Sequence, residues 1–446
     1  MWQHTHSPQS ISTFTASYSA QNQVIGQQAQ STAYPNNWVG CKTHPYQTTL
    51  MYSERTNDST ATLKYGFEVN RGKWAYTAGA TGQLLQFDYT VQQPLGQHSP
   101  FNPDPAWTDS DSFARALLVG QSAAYAEGAG PIGTRLNAML AIREETFALT
   151  GARAFEPRAS LALRINERQT INSTYAQAFQ SAPSIDILSY PGNGLLRPPQ
   201  VKQFSLGAGL WRTDWMTLSV EAYRKLYSDE PVSTEYPGLM LANMVDMLGQ
   251  QFVWLPLKSE GRGRSEGIEL LLRAHAADRF QILGSASYSR TRYAAADGVL
   301  RPGNFDFPLV ANGMVTLRLP LKLQLAVRDT YASGRPYTPF DIALSEQQAR
   351  GIYDLKQINA MRGPAYNRVD ADVNRDFTLR YGLLNLHGGL ENALDRQNFL
   401  GYAWEGSCGA SVGAYCGLNV NAIPGVPETK VTQMPLFPSA GLRYRF

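Results

Sequence analysis

Alternation of apolar with polar side chains recurs along nearly the whole chain, and it constrains the fold more than any other feature of the sequence. The C-terminal segment shows it clearly. Leu442, Tyr444 and Phe446 fall on one face of an extended strand. Arg443 and Arg445 fall on the other. Such a strand suits a wall between lipid and water, because one face tolerates hydrocarbon and the other a wet lumen.

The composition fits a chain that crosses a membrane with strands. Hydrophobic residues make up 43% of the 446 residues and charged residues 17%, below the usual quarter for soluble domains. Apolar stretches are short, and none approaches the roughly twenty residues that a transmembrane helix needs. Aromatic residues reach 11%. A large soluble all-β protein has a similar composition, so composition alone does not decide.

The alternating segments predict about sixteen strands. The predicted strands span residues 10–21, 46–54, 59–77, 113–126, 131–145, 154–165, 169–179, 203–212, 215–228, 264–275, 279–292, 308–319, 321–333, 366–377, 381–391 and 438–446. Segment 366–377 is typical, since Arg368, Asp370 and Asp372 alternate with valine and alanine.

The connections between these strands alternate between short and long. Short turns are predicted near 55–58, 128–130, 166–167, 213–214, 277–278, 320 and 379–381. Long loops are predicted at 22–45, 78–112, 180–202, 229–263, 293–307, 334–365 and 392–437, with 146–153 a short exception. Transmembrane barrels have short periplasmic turns and long extracellular loops, whereas soluble sandwiches have no reason to alternate. The pattern therefore favours an all-β, antiparallel, up-and-down transmembrane barrel, with Phe446 at the periplasmic rim.

Several classes of site find little support. The net charge is +3, and the absence of a basic run argues against nucleic acid. Neither a Cys/His cluster nor a GxSxG or HExxH pattern occurs, so we expect no metal, no cofactor and no enzyme activity. Cys408 and Cys416 flank a small-residue segment, a spacing that suits either a loop disulfide or two unpaired thiols.

Several segments, in order, resemble the barrel of TonB-dependent outer-membrane receptors. Residues 332–339, Ala-Ser-Gly-Arg-Pro-Tyr-Thr-Pro, resemble the family's "SG-PYTP" segment, and residues 263–270 resemble "G-A-GVEL". Residues 437–446 resemble the closing "P-R-F-GL-Y-F" strand. Weaker resemblances lie at 156–161, 175–183, 200–207, 222–229 and 390–395.

The resemblance implies a barrel of twenty-two strands whose lumen holds an N-terminal plug domain. No plug segment is visible, and about sixteen strands are predicted. We therefore interpret residues 1–446 as the C-terminal part of such a barrel, and expect the plug and the first strands to be encoded upstream.

The resemblance also implies a function: active uptake of a bulky, scarce nutrient across the outer membrane of a Gram-negative bacterium. Ferric siderophores, cobalamin, haem and oligosaccharides are the candidate ligands. The implied partners are the TonB complex acting through the plug, the barrel assembly machinery, outer-membrane lipid and lipopolysaccharide. Tyr444 and Phe446 resemble the family's assembly signal. Aromatic residues of the long loops are candidate ligand contacts, although packing between loops is the favoured explanation for any single one of them: Tyr236, Trp254, Tyr337, Tyr402 and Trp404.

Three other functions remain open at this point. A passive porin of about sixteen strands agrees with the strand count but not with the motifs. An outer-membrane enzyme or adhesin lacks a supporting pattern. A soluble all-β binding protein agrees with the absence of a signal peptide at the start of the sequence.

Overall fold

A computed structural model describes residues 1–29, 49–94, 110–244, 254–276, 279–348, 352–404 and 428–446. Within these ranges the strands are β1 Trp2–Ser7, β2 Ser10–Ala29, β3 Thr49–Arg71, β4 Trp74–Pro94, β5 Ser110–Ile132, β6 Leu136–Thr146, β7 Arg153–Arg164, β8 Thr170–Phe179, β9 Gln200–Arg212, β10 Met216–Ser233, β11 Leu257–Ala276, β12 Phe280–Ala294, β13 Leu300–Pro302, β14 Leu309–Leu319, β15 Leu323–Ala332, β16 Pro336–Tyr337, β17 Met361–Arg362, β18 Tyr366–Leu379, β19 Gly382–Glu391, β20 Phe399–Trp404, β21 Glu428–Thr432 and β22 Phe437–Arg445. The helices are α1 Ser184–Ser189, α2 Leu241–Met244 and α3 Ile342–Gln348, with 3₁₀ turns at Pro191–Leu195 and Pro320–Lys322.

The strands form an antiparallel, up-and-down β-barrel wall. One eighteen-stranded sheet contains every strand except the small hairpins β16–β17 and β20–β21. Each strand pairs antiparallel with its neighbour along the chain, from β1 against β2 to β19 against β22. Within this sheet only β1 and β13 are shorter than nine residues. Sixteen long strands remain. Their number equals the predicted one, but the assignments differ, because the predicted strands 46–54 and 59–77 fall largely in the single strand β3, and β4 lies mostly in the predicted loop 78–112.

The prediction is wrong about two turns. Residues 128–130 lie inside β5, where they pair with residues 138–140 of β6, and the chain reverses instead at 133–135, where Gly133 has a φ of 72°. Residues 55–58 lie inside β3, which pairs with β2 and with β4 along this stretch. The chain reverses instead between Arg71 and Trp74, where Gly72 has a φ of 63° that favours glycine. The Asn-Asp pair that indicates a turn is accommodated because Asp58 accepts a 2.6 Å hydrogen bond from the Tyr89 hydroxyl.

Several strands also run farther toward the long loops than predicted. β2 continues to Ala29, into the range 22–45, and β10 continues to Ser233, into the range 229–263. The predicted loop 78–112 is wrong over residues 78–94, which belong to β4. The short connections, such as those after β3, β9 and β18, all lie at one end of the sheet, because successive strands are antiparallel. The long connections lie at the other end, which we call the loop end.

The two faces of the wall are inverted relative to a soluble protein. Large apolar side chains on the outer face are more than half exposed, for example Leu84 at 57% and Leu442 at 68%. The inner face of the same strands carries polar residues, such as Thr77, Thr81 and Gln83 on β4. An apolar exterior around a polar interior is the arrangement that lipid around a wet lumen requires.

The outer face changes character partway along the strands. On β4 the outward residues from Tyr76 to Leu84 are apolar or small, whereas Gln86 and Asp88 beyond them are polar. On β3 the outer face becomes polar at the same height as on β4, since Ser59 pairs with Gln86. The apolar stretch matches the roughly 9–11 residues that a tilted strand uses to cross a bilayer. The ends of β3 and β4 beyond it therefore extend past the apolar band at the loop end.

Candidate functional site

The loop end of the barrel is filled by a packed apolar core. Its buried residues come from several loops and strand ends: Ala182, Ile187, Leu196, Leu239, Leu255, Leu257, Phe340, Tyr353 and Ile358. Phe340 and Tyr353 stack with ring centroids 4.6 Å apart. Residues far apart in sequence thus form one cluster, which we call the mouth core.

A second cluster joins the mouth to the inner face of β4. Phe87, Tyr89 and Val91 are buried there, and Ile185 and Leu188 of α1 pack against the cluster. The Tyr89 hydroxyl lies 2.7 Å from the Ser184 hydroxyl at the start of α1, in addition to its bond with Asp58. The short helix α1 is therefore held between the two clusters.

Asn193 fastens the segment after α1 to the start of β11. Its side chain is fully buried. The amide nitrogen donates to the carbonyl of Asp186 at 2.6 Å and to that of Leu255 at 3.1 Å. The amide oxygen accepts from the backbone N–H of Leu257 at 2.8 Å. In the sequence this residue stands in a Pro-Gly-Asn-Gly run that indicates only a turn, so the sequence does not predict that it connects the two segments.

Asp306 is the centre of a buried ionic network at the mouth. Its side chain is 0% exposed. One carboxylate oxygen accepts from the backbone N–H of Thr291 at 2.6 Å. The other accepts from Arg292 at 3.1 Å and, through a short hydrogen bond, from Arg362. Arg362 also donates to the carbonyl of Gly334 at 2.8 Å, so one carboxylate connects β12 to the segment 334–362.

A buried carboxylate on α1 makes the mouth sensitive to pH. Burial raises the pKa of Asp186 to about 7, from the ~3.9 of a free aspartate. The native state then holds this proton at pH values where the unfolded state has lost it. The contribution of Asp186 to the stability of the mouth is therefore complete below about pH 4 and is lost as pH rises toward about 7.

We expect protection factors for hydrogen exchange in residues 180–199 to be higher at pH 5 than at pH 8. Replacing Asp186 with asparagine should flatten this dependence, because the amide does not titrate. Protection that is equal at the two pH values in the wild type would contradict the assignment.

Four of the five candidate ligand-contacting aromatics take part in packing at the loop end. Tyr236 packs against the mouth core, and Trp254 packs against the β4 cluster. Tyr337 and Tyr402 form an aromatic group with Phe399, at centroid distances of 5.0–5.9 Å. Each therefore takes part in loop packing, and ligand contact stays a prediction. Trp404 lies on β20, opposite Glu428.

The terminal strand places its faces as the sequence predicts. Leu442 and Tyr444 share the outer face with their partners on β19, and the Tyr444 hydroxyl donates to the carbonyl of Tyr381 at 2.9 Å. Phe446 is fully exposed at the short-turn end. Cys408 and Cys416 lie outside the described residues, so the disulfide stays a prediction.

Charged residues on the inner face of the wall pair with one another. Arg368 binds Asp370 at 2.6 Å and Glu391 at 2.8 Å. Arg143 binds Glu145 at 2.8 Å, and Glu156 is close to the same guanidinium at 3.6 Å. These parts of the lumen wall are thus polar, and their charges are paired within the wall.

Two kinds of feature are absent from the part of the chain that the structure describes. No group of three or more His, Cys, Asp or Glu side chains there is placed to hold a metal ion. None of the described helices has the length and apolarity to span a membrane.

Solved structures share this fold across nearly the whole chain. The ferric preacinetobactin receptor BauA from Acinetobacter baumannii superposes with a TM-score of 0.62 and 10% identity, over 99% of this chain and 61% of that chain. The siderophore receptor PiuA from the same organism superposes with a TM-score of 0.60 and 12% identity, over 99% of this chain and 62% of that chain. The ferric citrate transporter FecA superposes with a TM-score of 0.60 and 12% identity, over 99% of this chain and 60% of that chain.

The chain therefore spans less than two thirds of the length of these structures. No curated protein matches it at the sequence level. The family model described as "TonB dependent receptor-like, beta-barrel" matches residues 2–392. The inverted barrel wall and the alternating connections agree with this match. The chain belongs to the TonB-dependent receptor β-barrel family.

Proposed function

We propose that the chain forms the barrel of an outer-membrane receptor that actively takes up a ferric siderophore in a Gram-negative bacterium. The observation that carries this proposal is the mouth core, in which several loops and strand ends pack together at the loop end. The similar structures named above, a ferric preacinetobactin receptor, a siderophore receptor and a ferric citrate transporter, support the ligand class.

A packed mouth suits a receptor better than an open pore. A passive porin needs a permanently hydrated path, whereas here apolar residues of several loops are buried together at the loop end and against the inner face of β4. The alternative of a sixteen-strand porin receives no support from the comparisons. Transport rather than catalysis is also the role of the related structures.

The proposed mechanism requires partners outside this chain. The outer membrane has no ATP, so energy must come from the inner-membrane proton gradient, through the TonB complex and a plug domain. The barrel would supply the container and the loops that capture ligand. Insertion would depend on the barrel assembly machinery, with outer-membrane lipid and lipopolysaccharide around the wall.

Uptake of radioactive iron tests the proposal. In iron-starved cells, deleting the complete gene should abolish uptake of at least one ferric siderophore, and the restored gene should recover it. Collapsing the proton gradient should stop that uptake in the restored strain. Ferric siderophore uptake that is unchanged by deletion would contradict the proposed ligand class.

Parallel assays with cobalamin, haem and oligosaccharides cover the other ligand classes that the resemblance implies. Uptake of one of these, dependent on the gene and on the proton gradient, would retain active transport but replace the siderophore. Gene-dependent uptake that survives collapse of the gradient would instead favour the porin.

A further inference from the structure

We infer that a basic patch on the outer face of β9–β12 binds the phosphate groups of lipopolysaccharide, a phosphorylated glycolipid with several acyl chains. The patch consists of Lys202, Arg224, Arg264 and Arg290, with one carboxylate, Glu266, among them. All five side chains are exposed.

The patch begins where the apolar band ends. On β12 the outward residues from Phe280 to Tyr288 are apolar, small or aromatic, and they span the roughly 9–11 residues that a tilted strand uses to cross a bilayer. Tyr288 pairs with Ile268 on β11, and Ile268 pairs with Ala222 on β10. The upper edge of the band is therefore level across three neighbouring strands.

The next outward position on each of these strands is charged. Arg224 pairs with Glu266, and Glu266 pairs with Arg290, so the three form one row. Arg224 is 57% exposed and Glu266 is 49% exposed, with 3.2 Å between their nearest charged atoms. The guanidinium of Arg290 lies 5.8 Å from the ring centroid of Tyr288, at the edge of the band.

A second row lies one outward position closer to the loop end. Leu226 on β10 pairs with Lys202 on one side and with Arg264 on the other. Because neighbouring strands are roughly 4.8 Å apart, the four cations, one on each of four successive strands, lie within about 14 Å across the sheet. The four cations and one carboxylate give the patch a net charge of +3.

The corresponding positions on β3 and β4 are uncharged. On β3 and β4 the first outward residues beyond the apolar band are Ser59 and Gln86. The patch is therefore a local feature of β9–β12 rather than a general property of the rim.

The arrangement matches a lipid better than a free anion. Arginine recognises phosphate through paired hydrogen bonds, and each basic residue near an anionic lipid surface adds to binding. Acyl chains attached to the same phosphorylated headgroup would lie directly on the apolar band below. An inorganic phosphate gains nothing from that band.

The test compares lipid binding by variants of the full-length protein, purified in detergent. The variant R224Q/R264Q/R290Q should bind deep-rough lipopolysaccharide roughly tenfold or more weakly than the wild type. A matched control, R71Q/R135Q/R168Q, removes three exposed arginines at the short-turn end and should bind like the wild type. Heat-modifiable migration on gels shows that each variant is folded.

Two further measurements test whether the patch recognises the phosphate groups of the lipid. Glu266→Gln should bind more tightly than the wild type, because it removes the carboxylate that opposes phosphate and occupies Arg224. Lipopolysaccharide stripped of its phosphates should bind about equally to the wild type and the patch variant, and inorganic phosphate should not compete at millimolar levels. Equal binding of intact lipid by patch variant and wild type, or weaker binding by the Glu266 variant, would overturn the inference. Iron uptake is not a readout here, so the outcome is independent of the proposed ligand.

Discussion

Replacing Asp306 with alanine is expected to lower the free energy of opening the mouth by about 3–5 kcal/mol, because Arg292 and Arg362 lose their buried carboxylate. The backbone N–H of Thr291 also loses its acceptor. Native-state hydrogen exchange should detect this as a fall of roughly 10²–10³-fold in protection of the segment 334–362. The strands below the mouth should keep their protection, since their ladder hydrogen bonds are unaffected.

Glu260→Ala is the matched control for this prediction. Glu260 also pairs with a cation, Lys258, at 2.8 Å, but the two side chains are 56% and 42% exposed. An exposed pair contributes about 0–1 kcal/mol, so protection at the mouth should barely change. If both substitutions had the same small effect, the network around Asp306 would not hold the mouth closed.

Deleting Phe446 is expected to reduce the amount of folded barrel in the outer membrane roughly tenfold, with little effect on the stability of barrels that do assemble. The residue is 102% exposed, and its ring centroid lies 6.2 Å from that of Tyr444, so it contributes little packing within this chain. A fully exposed terminal aromatic is available to a partner, and we propose that the barrel assembly machinery uses it. Heat-modifiable barrel in outer-membrane fractions, relative to total protein, provides the measurement.

Phe446→Tyr keeps an aromatic ring and should assemble at near wild-type levels. Leu442→Ala removes an apolar residue from the same face of the same strand, where Leu442 is 68% exposed, and serves as the position control. Assembly that is unaffected by deletion of Phe446, or equally impaired by Leu442→Ala, would contradict a specific role for the terminal ring.

Local pattern determined the wall of this protein. The alternation that assigns Leu442 and Tyr444 to one face and Arg443 to the other is confirmed by the register of β19 with β22. The reason is that side-chain direction in a strand depends only on the parity of the residue number. Most of the alternation of short and long connections follows from the same local information, whereas the division of residues 49–94 into β3 and β4 does not.

Turn residues were a less reliable signal. The Asn-Asp pair at 57–58 indicates a turn, yet it lies within β3 because strands on both sides and the Tyr89 hydroxyl satisfy its polar groups. Local turn preference is weak, and pairing over a long ladder outweighs it.

By itself, the sequence determined the fold class, the orientation of the strands and the family, because each depends on patterns that repeat along the chain. Only the tertiary structure decided how the mouth is built. Asp306 meets Arg362 across 56 residues, and Asn193 meets Leu257 across 64. It also decided that Lys202, Arg224, Arg264 and Arg290 share one outer surface, because cross-strand register, which no single segment encodes, brings them together.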